Sequence, residues 1–318
     1  MKIFAITTAL AAFAVATPLA AQTAENFPTK AMTYIIPFNA GGESDVSARY
    51  QQSEWEPVTG QDVVIQYQAG AGGAQAWSQL NSIEGDGYTV MGINLPHTVL
   101  QPMAGSVGYT TEELTPVNYF HYTPNAIFVA KDSEFQTLED LVSYAKENPG
   151  LVTFAGSGSN SANNLAAVQF NELADVITTY VPFSGTGPSI TAILGQQTTA
   201  GFNYATSGVN QGDEMRMLAV AAEERMPAFP DVPTFKELGY DLVGGAYRGV
   251  AVPASASEEM RKRISDIVSE INARPDFVKK MEDGGFVLTN IGYAEMPAFM
   301  EERVAEYTAG AKSLGITK

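Results

Sequence analysis

The 318-residue chain contains no cysteine and only two histidines, His97 and His121. Without cysteine there is no disulfide scaffold, no thiolate nucleophile and no cysteine-ligated zinc or iron–sulfur site. Two histidines exclude a histidine-rich metal centre and leave a Ser-His-Asp triad just two possible bases. Positive charge is also scarce. Eighteen Lys and Arg face 35 Asp and Glu, a formal net charge of −17, so the basic face of a nucleic-acid binder is lacking. No uncharged apolar run of 18 or more residues follows the first thirty positions, which excludes an internal membrane span. Chemical motifs are missing too. No serine has glycine at both −2 and +2, so there is no nucleophile elbow. No GxxxxGK[ST] occurs, and the one approach to a dinucleotide fingerprint, from Gly70 through Gly72, has Gln75 where the third glycine belongs. With no nucleophile, metal cluster or cofactor motif, the reading is a non-enzyme that uses no cofactor.

What is present begins with Lys2, an uncharged Ala-rich run from Ile3 to Val15, and Pro18-Leu19-Ala20-Ala21-Gln22. A positive start, a short apolar stretch and small residues before a polar one read as a signal peptide over 1–21 and hence an exported, periplasmic protein. The remaining length accommodates about two domains. Apolar runs alternate with helical patterns, as in a parallel α/β sheet. Strands are expected at Met32–Phe38, Asp62–Tyr67, Tyr88–Ile93, Ala126–Lys131, Val152–Ala155, Thr178–Phe183, Thr198–Tyr204 and Met217–Ala222. Helices are expected at Ser44–Trp55, Ala74–Ser82, Ala162–Glu172, Pro188–Leu194 and Met296–Tyr307. Thr137 with Asp140, and Ser255 with Glu258, read as capping boxes opening two more. The order of these units predicts discontinuous lobes, 22–124 with 248–318 and then 125–247. Strand crossings near Pro124–Val129 and Arg248–Pro253 would form the hinge of a ligand clamp.

Four glycine- and hydroxyl-rich loops follow strands, where α/β sheets place ligands. The first carries Phe38, Asn39, Ala40, Gly41, Gly42, Glu43, Ser44 and Asp45. The second runs through Ala69, Gly70, Ala71, Gly72 and Gly73, the third through Ser157, Ser159 and Asn160, and the fourth through Phe183, Gly185 and Thr186. Such loops lead into helix N-termini, whose unpaired N–H groups attract an anion. Backbone amides holding a carboxylate fit the first two loops better than phosphate binding does. Ser44 or Asp45 can equally be a helix cap, and the serine turn a capped turn. Arg248, between Tyr247 and Gly249, can grip a carboxylate with its two-pronged guanidinium or sit in a plain ion pair. His97 reads as a satisfied loop histidine or a donor to the cleft. Trp55 and Trp77 read as packing residues.

These segments in this order resemble the Bug/TctC family of periplasmic solute-binding proteins, which serve tripartite tricarboxylate transporters. The resemblance spans about Phe27 to Ile316. It rests on Phe27-Pro28-Thr29-Lys30, Pro37-Phe38 with Gly41-Gly42 and Asp45, Gly70-Ala71-Gly72-Gly73, Asp86-Gly87-Tyr88-Thr89, and Val181-Pro182-Phe183 with Gly185 and Gly187-Pro188. Most specific is the stretch from Glu224-Arg225 through Pro230-Asp231-Val232-Pro233-Thr234. The resemblance implies a type II periplasmic-binding-protein fold, α/β, with two lobes, a ligand cleft and a two-strand hinge. It implies that the first two loops hold one carboxylate, and that Ser157, Ser159, Phe183, Gly185, Thr186 and Asn203 face them. The partners implied are a small di- or tricarboxylate or related organic acid and the permease subunits. A sensor kinase is the alternative partner, and an enzyme on the same fold a remote one. The chain departs from the family pattern at Glu43, Gln68, Asn163-Asn164, Asn203 and Arg248. The last two make the far wall less negative, so a ligand with a second anionic or strongly polar group is expected.

Overall fold

A computed structural model describes residues 24–316; the leader reading over 1–21 lies outside the described residues. The first strand, β1 (Met32–Ile36, sequence MTYII), is almost wholly buried, as a strand covered on both faces must be. It feeds α1 (Glu43–Thr59), then β2 (Val63–Tyr67), the single turn α2 (Ala74–Trp77), β3 (Thr89–Leu95) and α3 (His97–Ala104). Strand β4 (Thr115–Ala130) is 16 residues long. After it come α4 (Leu138–Glu147), β5 (Thr153–Gly156), α5 (Ala162–Ala174), β6 (Thr179–Pro182), α6 (Thr186–Leu194), β7 (Ala200–Tyr204), α7 (Thr206–Gln211) and β8 (Met215–Val220). The chain returns through β9 (Gly245–Val252), α8 (Glu258–Asn272), α9 (Pro275–Asp283), β10 (Val287–Ile291) and α10 (Met296–Gly310).

Hydrogen-bonded neighbours run β2-β1-β3-β9-β4-β7-β5-β6, with β8 and β10 also pairing β4. Parallel pairs β1–β2 and β1–β3 sit at one end, and parallel pairs β5–β6 and β5–β7 at the other. Between them, β4 is shared. Its residues Thr115–Pro124 pair β9, and Asn125–Phe128 pair β7. The apolar cores divide along the same strand. One gathers Trp55, Trp77, Val90, Leu100 and Phe120 with Ile264 and Phe277 from the returning segment. Another gathers Ile127, Phe154, Phe170, Phe202 and Phe235, with Phe202 stacked on Phe235 at 6.2 Å. Among the described residues no helix is long and apolar enough to cross a membrane.

Several expectations shift. Only the end of β4 was visible in its apolar pattern, because Asn118, His121, Thr123 and Asn125 interrupt it; all four are buried. Asn118 shows how such a strand is tolerated: its Nδ2 donates to Ser269 Oγ (3.0 Å) and Asn290 Oδ1 (3.2 Å). Helix α2 stops at Trp77, and a separate 3-10 turn covers Leu80–Ser82. The cap of α8 is Ser257, which accepts from Met260 N at 3.2 Å, in place of Ser255. The Thr137–Asp140 box forms as expected. Both tryptophans are buried.

Candidate ligand-binding cleft

The loop after β1 is shaped by its own acid. Asp45 Oδ2 accepts from Gly41 N (2.8 Å), while Oδ1 accepts from the Tyr67 hydroxyl (2.7 Å) and meets Arg49 Nε (2.9 Å). Asp45 therefore points back onto its own loop. This leaves Gly42, the N-cap of α1, with no side-chain cap. The N-caps of α6 (Gly185) and α3 (Pro96) lack one as well. These three helix starts converge on one small cavity lined by Phe38, Gly42, Glu43 and Ser44, by Asn94 and His97, by Ser157 and Thr186, and by Arg248. Each start contributes the positive end of a helix dipole and backbone N–H groups without intrahelical partners. The cavity measures about 10 Å³, room for about one water.

The walls meet closely across it. Asn39 Nδ2 donates to Ser184 Oγ at 2.8 Å. A Cβ on Gly185 would stand 3.5 Å from Phe38 Cβ, and one on Gly42 3.5 Å from Gly187 N. In the second loop Gly72 takes φ +62° and faces Gly158, φ +135°, whose added Cβ would be 3.3 Å from Gly72 Cα; only glycine allows both the torsions and the approach. Phe38 lies edge-on to Trp77 and His97, with ring centres 6.0 and 5.9 Å apart.

Charge at the site is a buried pair. Glu43 Oε1 stands 2.8 Å from Arg248 Nη1, with the two side chains 1% and 4% exposed. Glu43 Oε2 accepts the Thr206 hydroxyl at 3.0 Å. Arg248 donates from Nε toward Ser44 Oγ at 3.3 Å, and the Asn94 amide, oriented to satisfy its neighbours, accepts from the same Nε at 3.2 Å. The guanidinium lies over the Tyr204 ring at 4.2 Å. Despite the short contact, neither Glu43 Oε1 nor Arg248 Nη1 has an aligned hydrogen bond. Burial pushes the Glu43 carboxyl above its ordinary value, against the lowering pull of Arg248. Burial, aided by Arg248, lowers the His97 pKa to about 3, so its imidazole is neutral.

Of the residues singled out from sequence, Phe38, Gly42, Ser44, Ser157, Thr186 and Arg248 border the cavity. Ser157 donates to Asn163 Oδ1 from N (3.1 Å) and Oγ (2.6 Å), and Asn163 Nδ2 donates to Asn125 Oδ1 (2.8 Å), a polar chain under the floor. Asn39, Ala40 and Gly41 do not border it; they line a separate open depression with Phe183 and Gly187. Ala69, Gly70, Ala71, Gly72 and Gly73 do not border the cavity; Gly72 O accepts from Gln101 Nε2 at 3.0 Å. Ser159 is exposed, and Asn160 N donates to Asn164 Oδ1 (3.0 Å). Asn203 lies beneath, its Oδ1 accepting from Ser189 Oγ at 2.9 Å. Sequence reasoning passed over Asn94, Tyr204 and Thr206, and treated Glu43 only as a departure. His97 opens a helix on the cavity wall, and its Nδ1 has no partner among the described residues, so it is not the satisfied loop histidine expected.

A larger cavity, about 350 Å³, lies between α5, α10 and strands β4 and β9, beside Tyr122, Tyr247 and Tyr307. None of the four glycine loops borders it, and its cation, Arg303, is already paired with Glu302 and Glu306. Chemistry, not volume, makes the smaller space the candidate site. No group of three or more metal-ligating side chains occurs among the described residues.

The profile of the TctC family, described as "Tripartite tricarboxylate transporter family receptor", matches residues 47–316. A curated relative, the UPF0065 protein in the gbd 5′ region of Cupriavidus necator, is 27% identical over 98% of this chain and 96% of its own length. MatC from Rhodopseudomonas palustris, solved with bound malate, superposes with TM-score 0.83 at 25% identity, covering 90% of this chain and all of that one. The periplasmic binding protein BugD shares the fold, with TM-score 0.86 at 23% identity over 92% of this chain and all of that one.

Proposed function

We propose, from the premise that this chain belongs to the tripartite tricarboxylate transporter receptor family, that it is a periplasmic receptor which captures a small organic carboxylate between its lobes and delivers it to a membrane permease. The observation that carries this reading is the convergence of three helix N-termini without side-chain caps, those of α1, α3 and α6, on one small cavity. Preorganised N–H groups favour an anion with little reorganisation. The lobes proposed are 22–124 with 248–318, and 125–247; the division of the apolar cores along β4 supports this. Closure then draws its free energy from the ligand's better contacts in the closed form. Capture of this kind makes and breaks no covalent bond, so the carboxylate is released unchanged.

The test is a thermal-shift panel of mono-, di- and tricarboxylates, aromatic acids and amino acids, followed by calorimetry on any hit. At a hundredfold excess over Kd a true ligand adds about 2.7 kcal/mol, a rise of at least a few degrees in Tm. A panel with no carboxylate hit, or a hit that is converted to product, overturns the reading. Uptake of the hit by cells lacking this protein addresses delivery. Unimpaired uptake would move the partner from a permease to a sensor.

A further inference from the structure

The cleft contains a carboxylate of its own. Glu43 and Arg248 both line the cavity and are paired there, with Oε1 2.8 Å from Nη1. The wall therefore offers an acid and a base already paired with each other, with no net charge. A carboxylate only accepts. Seated there it would compete with Glu43 for Arg248 and set oxygen against oxygen, with two like charges a few ångströms apart in a buried site. Nor is the two-pronged grip of Arg248 open to a ligand: Nε is directed at Ser44 and Asn94, and the guanidinium face is covered by Tyr204. A primary amide or a hydroxyl both donates and accepts, and it matches the pair without adding charge.

We propose that Glu43 is the specificity-determining residue of this receptor. Its ligand carries one carboxylate for the helix starts and, where it meets the Glu43–Arg248 pair, an uncharged group that donates and accepts, in place of a second carboxylate. The inference rests on the carboxylate-receptor reading above. Glu43 is held for this role from two directions, by the Thr206 hydroxyl at one oxygen and by Arg248 at the other.

The test is calorimetric titration of the purified protein with straight-chain diacids of three to six carbons, each beside its half-amide, which has the same length and one charge fewer. The wild-type protein is expected to bind the half-amide at least about tenfold tighter than the diacid at the best length, since like charges across an interface cost several kcal/mol. Glu43→Gln keeps the shape, leaves Arg248 unpaired and reverses the order. A wild-type protein that binds the diacid as tightly as its half-amide overturns the proposal, as does a Glu43→Gln ratio equal to that of wild type. The wild-type comparison needs no variant, so it decides even if Glu43→Gln fails to fold. A diacid or tricarboxylate that binds where no half-amide does would sink the role of Glu43 and leave the receptor standing. Failure of every carboxylate to bind would sink the receptor itself.

Discussion

Single residues in the cleft behave according to what burial does to their charge. His97 is 1% exposed and held to a pKa of about 3 by burial and by Arg248, and burial also holds His121 well below its ordinary value. Unfolded histidine takes its proton near pH 6.5. Between that pH and about 3, the unfolded chain therefore binds protons that the folded chain refuses, and stability falls as pH falls through this window. His97→Gln is expected to flatten the loss between pH 7.5 and 5.5, measured as the difference in unfolding free energy from urea titrations. A difference as large as that of wild type would show that His97 is protonated in the fold. Arg248 was legible as a cleft residue from its place among glycines at the start of a strand. The role of Glu43 was not. An acid just after a helix N-cap is what the dipole favours anywhere, and no local signal reports that it meets Thr206, 163 residues further on.

Among the elements, those with strong caps and one apolar face were readable, and those buried on several sides were not. Helix α4 declares itself through Thr137 and Asp140 and through its stripe of Leu138, Leu141, Val142 and Ala145. Helix α3 (HTVLQPMA) carries a proline and no charge, and its first five residues are all buried, so it shows no polar face to set a period. Helix α8 shows how sequence can place a cap two residues astray: Ser255 and Ser257 both precede acids, and only the backbone decides which one is extended. Ser257 is, at φ −64° and ψ 156°. Ser257→Ala is expected to cost about 1 kcal/mol, and Ser255→Ala less than about 0.5 kcal/mol. Denaturant midpoints at unchanged slope check both values. Equal losses would return the cap to Ser255.

Across the whole molecule, the charge of −17 opposes the approach of any anion. The proposed capture of a carboxylate would then rely on short-range dipoles inside the cleft against an unfavourable long-range field. Raising ionic strength from about 0.02 to 0.2 M shortens the screening length severalfold, so the association rate of the best-binding carboxylate should rise modestly. Stopped-flow measurement of a clear fall would mean that a local positive field dominates encounter. At this scale the order of βα units, the return of the chain as helices and the family resemblance were legible, because each is carried by residues close together in sequence. The single long strand β4 that joins the two ends of the sheet was visible only at its apolar end.

Sequence alone determined the fold family and the residue types and motifs the chain lacks, and it singled out four loops, of which three contribute residues to the cavity. Hydrophobic period, glycine placement and missing residue types are local properties, readable without coordinates. Tertiary structure decided which of those loop residues border the cavity, that Asp45 turns back onto Gly41, and that Arg248 is already paired. Each depends on side-chain direction and on partners brought together from distant segments: Glu43 from α1, Thr206 from α7 and Arg248 from β9. The chain passes three times to build that one contact, on which the proposed ligand preference rests.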